Sequence, residues 1–89
     1  MTTTTTEQVS NQWQAFADSS FGDTAVTIQN YDVTRLCIAI DANEPAADDL
    51  GLYIPGEEKE LYAGFEGKLW LRYPLLEDGK TKNVGVMKS

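Results

Sequence analysis

The stretch 50–73 most constrains the fold, because alternating apolar residues and turn residues are interleaved along it. Large apolar residues recur at every second position near both of its ends: Leu50, Leu52, Ile54, Leu69, Leu71 and Tyr73. In a β-strand such residues share one face. Between the first two segments, Pro55-Gly56 supplies the fixed φ and the positive φ of a type II turn. The stretch is therefore predicted to form three strands joined by two turns.

Three further segments alternate in the same way, which brings the predicted strands to six. Their apolar residues, which we expect in the core together with Leu52, Ile54, Leu69 and Leu71 of the first stretch, are Val26, Ile28, Leu36, Ile38, Ile40, Val84 and Val86. Cys37 and Ala39 make the segment 34–41 apolar on both faces, as in a central strand covered on both sides. Six short strands at spacings of roughly ten residues predict an all-β chain, a small antiparallel β-sandwich or jelly-roll-like domain.

The first 21 residues differ in character from the rest. Thr2–Thr6 is a run of threonines with no apolar anchor, which is typical of a mobile arm. After it, four residues have the spacing of one helix face: Val9, Trp13, Phe16 and Ala17. Serine and asparagine between them are poor helix formers, so an irregular packed arm is the alternative to a short helix. We expect an N-terminal assembly arm at 1–21, anchored on another chain by Trp13 and Phe16, and a β-sandwich domain at 22–89.

The charge balance excludes several classes of partner. The net charge is −7, from 14 acidic and 7 basic residues, and the basic residues are scattered singly. Binding to nucleic acid or to an anionic membrane is driven by clusters of Lys and Arg, so we expect neither. No apolar run approaches the length of a membrane span, and the N-terminus lacks the basic and apolar parts of a signal peptide.

Residues typical of catalysis or of a metal site are missing from the pattern. The chain has no histidine, and Cys37 is its only cysteine. Because Cys37 lies within an apolar strand, a small buried side chain is favoured over a nucleophile. The loop 41–49 offers Asp41 and Asn43 at the first and third positions of a calcium-binding EF-hand loop, but proline and alanine follow where a further ligand and a glycine belong. We therefore expect no enzyme activity, no metal and no cofactor.

Trp70 is the candidate functional side chain. If Leu69 and Leu71 fill the core, Trp70 points outward between Lys68 and Arg72, and these three residues form a candidate interaction face. Coverage by Arg72 or by the N-terminal segment is the structural alternative to a partner contact. The inverse register, with Trp70 in the core, is also open.

The strand and turn segments also support a resemblance. They read Val26–Asn30, Leu36–Ile40, Pro45, Ile54–Glu57 and Lys68–Arg72. Together they resemble small β-sandwich structural proteins encoded in tailed-bacteriophage genomes, over residues 24–88. In those proteins alanine commonly stands between the tryptophan and the arginine of the last segment, where this chain has leucine.

The resemblance implies a non-enzymatic virion component, assembled in the host cytoplasm. It implies first a head decoration or cement protein, and second a protein of the neck, the tail or the fibre attachment. The implied partners are copies of the chain itself and the major capsid or other virion proteins, without a cofactor. The alternative is a carbohydrate-binding or fibre-attachment module, in which Trp70, Tyr53 and Tyr62 form an aromatic platform for a sugar ring.

Overall fold

A computed structural model describes residues 3–23, 25–49 and 51–88, and these residues form a small all-β sandwich. The described strands are β1 (Thr3–Val9), β2 (Gln14–Asp18), β3 (Ala25–Asn30), β4 (Leu36–Asp41), β5 (Leu52–Ile54), β6 (Lys59–Ala63), β7 (Lys68–Arg72) and β8 (Lys82–Lys88). One short 3₁₀ helix, Ser19–Phe21, follows β2. The six predicted strands correspond to β3–β8, so the predicted all-β fold class is confirmed. Leu50, which we predicted to share a strand face with Leu52 and Ile54, lies outside the described residues.

The strands form two four-stranded antiparallel sheets. Their orders are β1-β8-β3-β6 and β2-β7-β4-β5. Each strand of the first half pairs with its counterpart counted from the other end of the chain, β1 with β8, β2 with β7, β3 with β6 and β4 with β5. A single long antiparallel ribbon folded over on itself gives this pairing, which is the jelly-roll arrangement of the β-sandwich.

The core lies between the two sheets and follows the predicted alternation. Ile28 lies opposite Val86 in the first sheet, and Ile38 lies opposite Leu71 in the second. The fully or almost fully buried apolar side chains of this core are Val9, Val26, Ile28, Leu36, Ile38, Ile54, Leu69, Leu71, Tyr73, Val84 and Val86. Nine of the predicted core positions are thus confirmed: Val26, Ile28, Leu36, Ile38, Ile54, Leu69, Leu71, Val84 and Val86.

Two predicted core residues are exposed instead. Ile40 is 42% exposed and Leu52 is 69% exposed, although both continue the inward alternation of their strands. Leu52 lies on β5, the edge strand of its sheet, and together with Ile40 and Tyr62 it lines an open cleft of about 390 Å³. Alternation identifies the face of a strand, but burial also requires the opposite sheet to extend over that position.

The N-terminal segment differs most from the prediction. Residues 3–9 pair with β8 along their whole length, and residues 14–18 pair with β7. The predicted helix is therefore wrong. The helical spacing arose because Val9 and Ala17 enter the core from two different strands, while Trp13 lies in the connection between them. The order that we expected from another chain is supplied by β7 and β8 of this chain, and a role of the segment in assembly stays a prediction.

Asn30 is a buried polar residue whose side chain forms hydrogen bonds to three connections between strands. Its amide nitrogen donates to the backbone carbonyls of Thr34 (2.8 Å), Ile54 (3.2 Å) and Pro55 (3.1 Å). Its oxygen accepts from the hydroxyl of Tyr73 at 2.6 Å and from a backbone N–H at 3.0 Å. Because every polar atom of the Asn30 side chain has a partner, its burial fixes the β3–β4 and β5–β6 turns against β7.

The turn at Pro55 is present, but the positive φ that we predicted for Gly56 is wrong. Glu58 donates its backbone N–H to the Pro55 carbonyl at 3.2 Å, and the positive φ, 65°, falls on Glu57. Glycine is required at position 56 for a different reason, since a Cβ there would collide with the backbone carbonyl of Val33.

Candidate interaction surfaces

An acidic loop covers the outer face of the second sheet. Its described residues, 42–49 and 51, lie between β4 and β5, and two indole N–H groups bond to backbone carbonyls in the loop or at its start. Trp13 Nε1 donates to the Ala46 carbonyl at 3.2 Å, and Trp70 Nε1 donates to the Asp41 carbonyl at 3.0 Å. Both indoles are thus satisfied by the same segment, as buried tryptophans require.

Arg72 holds the middle of the loop. Its two terminal nitrogens donate to the backbone carbonyls of Ala47 at 2.8 Å and Asp49 at 2.6 Å. Its guanidinium lies 4.5 Å from the centroid of the Trp13 ring, within the range of a cation–π contact. The third nitrogen, Nε, is buried without a hydrogen-bond partner among the described residues. Arg72 therefore links the β2–β7 side of the sheet to the loop above it.

The predicted face Lys68-Trp70-Arg72 is therefore covered by this chain itself. The predicted register is correct, because Leu69 and Leu71 point into the core and Trp70 lies on the outer face. Trp70 nevertheless is only 9% exposed, and it forms a second buried cluster with Trp13 and Cys37. Lys68 is half-buried, with its ammonium 5.9 Å from the Trp70 ring centroid. A contact of Trp70 or Arg72 with a partner stays a prediction, and the surface above them belongs to the loop.

Two aspartates, one at the end of β4 and one near the end of the acidic loop, accept hydrogen bonds within local turns. Asp41 accepts from the backbone N–H of Asn43 at 3.1 Å, and Asp49 accepts from that of Gly51 at 2.9 Å. Gly51 has a positive φ of 56°, and a Cβ there would collide with the carbonyl oxygen of Ile38. Within residues 3–23, 25–49 and 51–88, no group of three or more His, Cys, Asp or Glu is arranged to hold a metal ion.

A second surface is built by the turn 18–23, which we call the Phe21 turn. Asp18 caps its 3₁₀ helix by accepting from Ser20 N at 2.9 Å and from Ser20 Oγ at 2.7 Å. These hydrogen bonds, first that of the Ser20 hydroxyl, lower the pKa of Asp18. Gly22 ends the turn with a left-handed φ of 89°. The capped turn thus has a defined backbone, as expected for a helix end whose N–H groups are satisfied.

The Phe21 turn is also tied to the rest of the domain. Ser19 N donates to the Gly67 carbonyl at 2.9 Å, and Gly67 N donates back to Ser19 Oγ at 2.9 Å. Asp23 accepts from the backbone N–H of Asp18 at 2.9 Å, and its carboxylate lies 3.6 Å from the ammonium of Lys88. Contacts to β8 and to the start of β7 therefore hold the turn in one place.

Phe21 itself is presented to solvent. Its side chain is 84% exposed, the largest value among the exposed large apolar residues of the described chain. Beside it lies a hollow of about 260 Å³, lined by Phe16, Phe21 and Lys68 together with both carboxylates of the turn. Of the five predicted interaction residues, only Phe16 and Lys68 line this accessible surface. Sequence analysis missed Phe21, although an aromatic residue in a turn of small and polar residues was the available signal.

The aromatic residues of the alternative platform do not share one face. Trp70 lies under the acidic loop, whereas Tyr53 is 59% exposed on β5 with Arg35 5.7 Å from its ring centroid. Tyr62 belongs to the other sheet, lies opposite the buried Val26 and packs partly against the core. Tyr53 and Tyr62 both line an open cleft of about 410 Å³ with Leu52 and Glu60, but Trp70 is not part of it, so the three rings do not form one platform.

The titratable groups with shifted pKa values each have a local structural cause. Burial raises the pKa values of Cys37 and Tyr62 and raises that of Tyr73 to about 12. The hydrogen bond from the Thr34 hydroxyl lowers the pKa of Asp32. Tyr73 and Asp32 lie close together beside Asn30, whereas Cys37 and Tyr62 lie on β4 and β6.

Comparison with known proteins gives no relative: no family model, no curated protein and no solved structure matches this chain.

In the described ranges of the chain, no helix has the length and apolar character needed to cross a membrane.

Proposed function

We propose that this chain is a non-enzymatic structural protein of a tailed-bacteriophage particle, which docks on the particle through the Phe21 turn and binds copies of itself. The first role that we assign is a head decoration or cement protein. The proposal is supported by the resemblance of the strand and turn segments, by the small jelly-roll sandwich and by the geometry of the turn. The partner is a capsid or other virion protein with an apolar pocket that accepts the Phe21 ring.

The proposal rests on the exposed ring of Phe21, which lies on a turn held in place by hydrogen bonds. Aromatic residues are enriched at the centres of protein interfaces, and a ring of this size buries about 150–250 Å² when it is enclosed. The hydrogen bonds within the turn are already formed in the free chain, so little conformational entropy is lost when the ring is enclosed. An exposed side chain on a preorganised turn is therefore a favourable anchor for a partner.

The non-enzymatic part of the proposal rests on how the polar groups are used. Asp41 and Asp49 accept from backbone N–H groups at the two ends of the acidic loop, and the carboxylates with shifted pKa values, Asp18 and Asp32, accept hydrogen bonds that cap the 3₁₀ helix and close a turn. The tyrosine with the most strongly raised pKa, Tyr73, donates to the buried Asn30. Each of these groups thus has a structural hydrogen-bond partner within the chain.

The sugar-binding or fibre-attachment module remains the alternative function. It needs several aromatic rings on one exposed face. The burial of Trp70, which leaves only Tyr53 and Tyr62 along one cleft, favours the assembly role over it.

The docking proposal is tested with particles produced from the genome that encodes the chain, after the coding sequence of the chain has been deleted from it. The binding of purified wild type to these particles is compared with that of Phe21→Ala. We expect the purified wild type to co-sediment with these particles, and Phe21→Ala to lose at least tenfold in affinity. Leu75→Ala is the matched control, because Leu75 is 65% exposed and also lies in a connection between strands. Equal binding by the wild type and Phe21→Ala would contradict docking through the turn, and no binding by the wild type would contradict the particle role.

A further inference from the structure

The four edge strands of the sandwich are not equally protected against pairing with another strand. β2 carries a bulge between Ala15 and Ala17, β5 has three residues, and β6 has Lys59 and Glu60. Bulges, shortness and charged residues are the devices by which edge strands avoid edge-to-edge association. β1 is the least protected of the four: it is seven residues long, pairs regularly with β8 and contains neither lysine, proline nor a bulge, and its one charged residue is the half-buried Glu7.

The composition of β1 also favours an added strand. Threonine fits extended, half-exposed strands well, and four of the seven residues of β1 are threonine. Thr5, Thr6 and Gln8 are exposed, and β1 has no strand neighbour on its outer side among the described residues. A row of backbone N–H and C=O groups is thus available for β-strand addition.

The occupant that we assign to the β1 edge is a second copy of the chain. The chain carries −7, so two copies repel each other over most of their surfaces. Of the 14 acidic residues, 13 lie at or after residue 18, and Glu7 is the one charged residue before it. The β1 edge is therefore the part of the surface where two copies approach with the least repulsion.

Symmetry and charge also determine the register. When two strands pair antiparallel, directly opposite residues have their side chains on the same face of the sheet. A twofold axis perpendicular to the sheet also leaves each side chain on its own face. Two identical strands can therefore pair only in registers in which one residue lies opposite its own copy. An axis at Thr6 pairs all seven residues from Thr3 to Val9. It sets Glu7 opposite Thr5, whose hydroxyl already donates to Glu7 within one chain at 3.1 Å. An axis at Glu7 would instead oppose two carboxylates, which is unfavourable.

We propose that two copies of this chain join antiparallel through β1, with the twofold axis at Thr6, so that their β1-β8-β3-β6 sheets form one continuous eight-stranded sheet. This inference deepens the proposed function, since it names the self-contact that the function requires. The β1 edge and the Phe21 turn are different elements of the chain, and Lys88 of β8 lies between them, since it pairs with Thr3 and its ammonium lies 3.6 Å from the Asp23 carboxylate.

The test is a charge swap at the axis, measured by analytical ultracentrifugation of the purified chain at low ionic strength. Wild type is expected at twice the 9.9 kDa of one chain. Thr6→Lys and Thr6→Glu are each expected to sediment as monomers, because like charges face each other at the axis, and their equimolar mixture is expected to restore a dimer. Leu61→Lys, on the exposed face of β6, has the same net charge as Thr6→Lys and is expected to remain dimeric.

Cysteine crosslinking provides a second readout that does not depend on tolerance of a charge at Thr6. Thr6→Cys is expected to form a disulfide-linked dimer on mild oxidation, whereas Lys59→Cys on β6 and the wild type, whose Cys37 is buried, are expected to stay monomeric on denaturing gels. A monomeric wild type, a dimeric Thr6→Lys or a crosslink through Lys59→Cys instead of Thr6→Cys would each overturn the inference. These assays contain no particles, so their failure is distinguishable from a failure of particle docking.

Discussion

Replacing Arg72 by methionine should release the acidic loop from the sheet. The side chain donates two hydrogen bonds to loop carbonyls and stacks on Trp13. Hydrogen bonds from a charged donor contribute about 1.5–3 kcal/mol each, and a cation–π contact contributes about 0.5–2 kcal/mol. Methionine keeps an unbranched apolar stem over the indole, and the freed carbonyls can bond to water. The expected loss of stability is therefore near the sum of the lower values for the two hydrogen bonds and the cation–π contact.

We therefore expect Arg72→Met to lower the free energy of unfolding by about 3 kcal/mol, a large fraction of the stability of a small domain. Urea unfolding measures this loss. Tryptophan emission gives an independent readout, because both tryptophans of the chain, Trp13 and Trp70, lie under the loop. The emission of the folded variant should move to longer wavelength and become more accessible to acrylamide.

Arg35→Met is the matched control for this experiment. Arg35 is exposed and lies 5.7 Å from the Tyr53 ring centroid, so its replacement should change stability by less than about 0.5 kcal/mol. If Arg72→Met were as stable as Arg35→Met and kept the wild-type emission, Arg72 would not hold the loop and the reasoning would be refuted.

Two further predictions concern the core. The pKa of Tyr73 is raised to about 12, first by burial and then by the charge of Asp32, so the unfolded chain loses this proton first as the pH rises past about 10. Stability should therefore fall between pH 10 and 12, and urea unfolding of Tyr73→Phe across that range should show a shallower fall; an identical fall would contradict the assignment. Ile38→Ala should cost about 2–5 kcal/mol and Ile40→Ala clearly less, because Ile38 is buried and Ile40 is not. Equal losses in thermal unfolding would contradict the described burial.

Alternation was sufficient to predict strands β3–β8, because each carries apolar residues on the face that meets the other sheet. It failed for β1, whose threonines give no alternation of apolar and polar residues, although the strand preference of threonine was a usable signal. For β2, a bulge between Ala15 and Ala17 disturbs the two-residue period and allows a helical spacing. Local patterns cannot detect pairing between the two ends of the chain.

The covering of Trp70 shows a second limit. Sequence correctly placed Trp70 on the outer face, since Leu69 and Leu71 are buried. What covers this face is decided by the path of the loop 42–51, which depends on hydrogen bonds from three side chains to backbone carbonyls. Backbone acceptors are the same in every sequence, so no residue pattern in the loop indicated these bonds.

The central claim, that this chain is a structural component of a tailed-phage particle, is tested most directly by its distribution in a density gradient. Particles produced from the genome that encodes the chain would be purified, washed in high salt and separated, and each fraction quantified by mass spectrometry. The account predicts that the chain migrates with the particles at a constant ratio to a capsid, neck or tail protein. Recovery of the chain only in the free-protein fractions, with particles that contain none of it, would contradict the account.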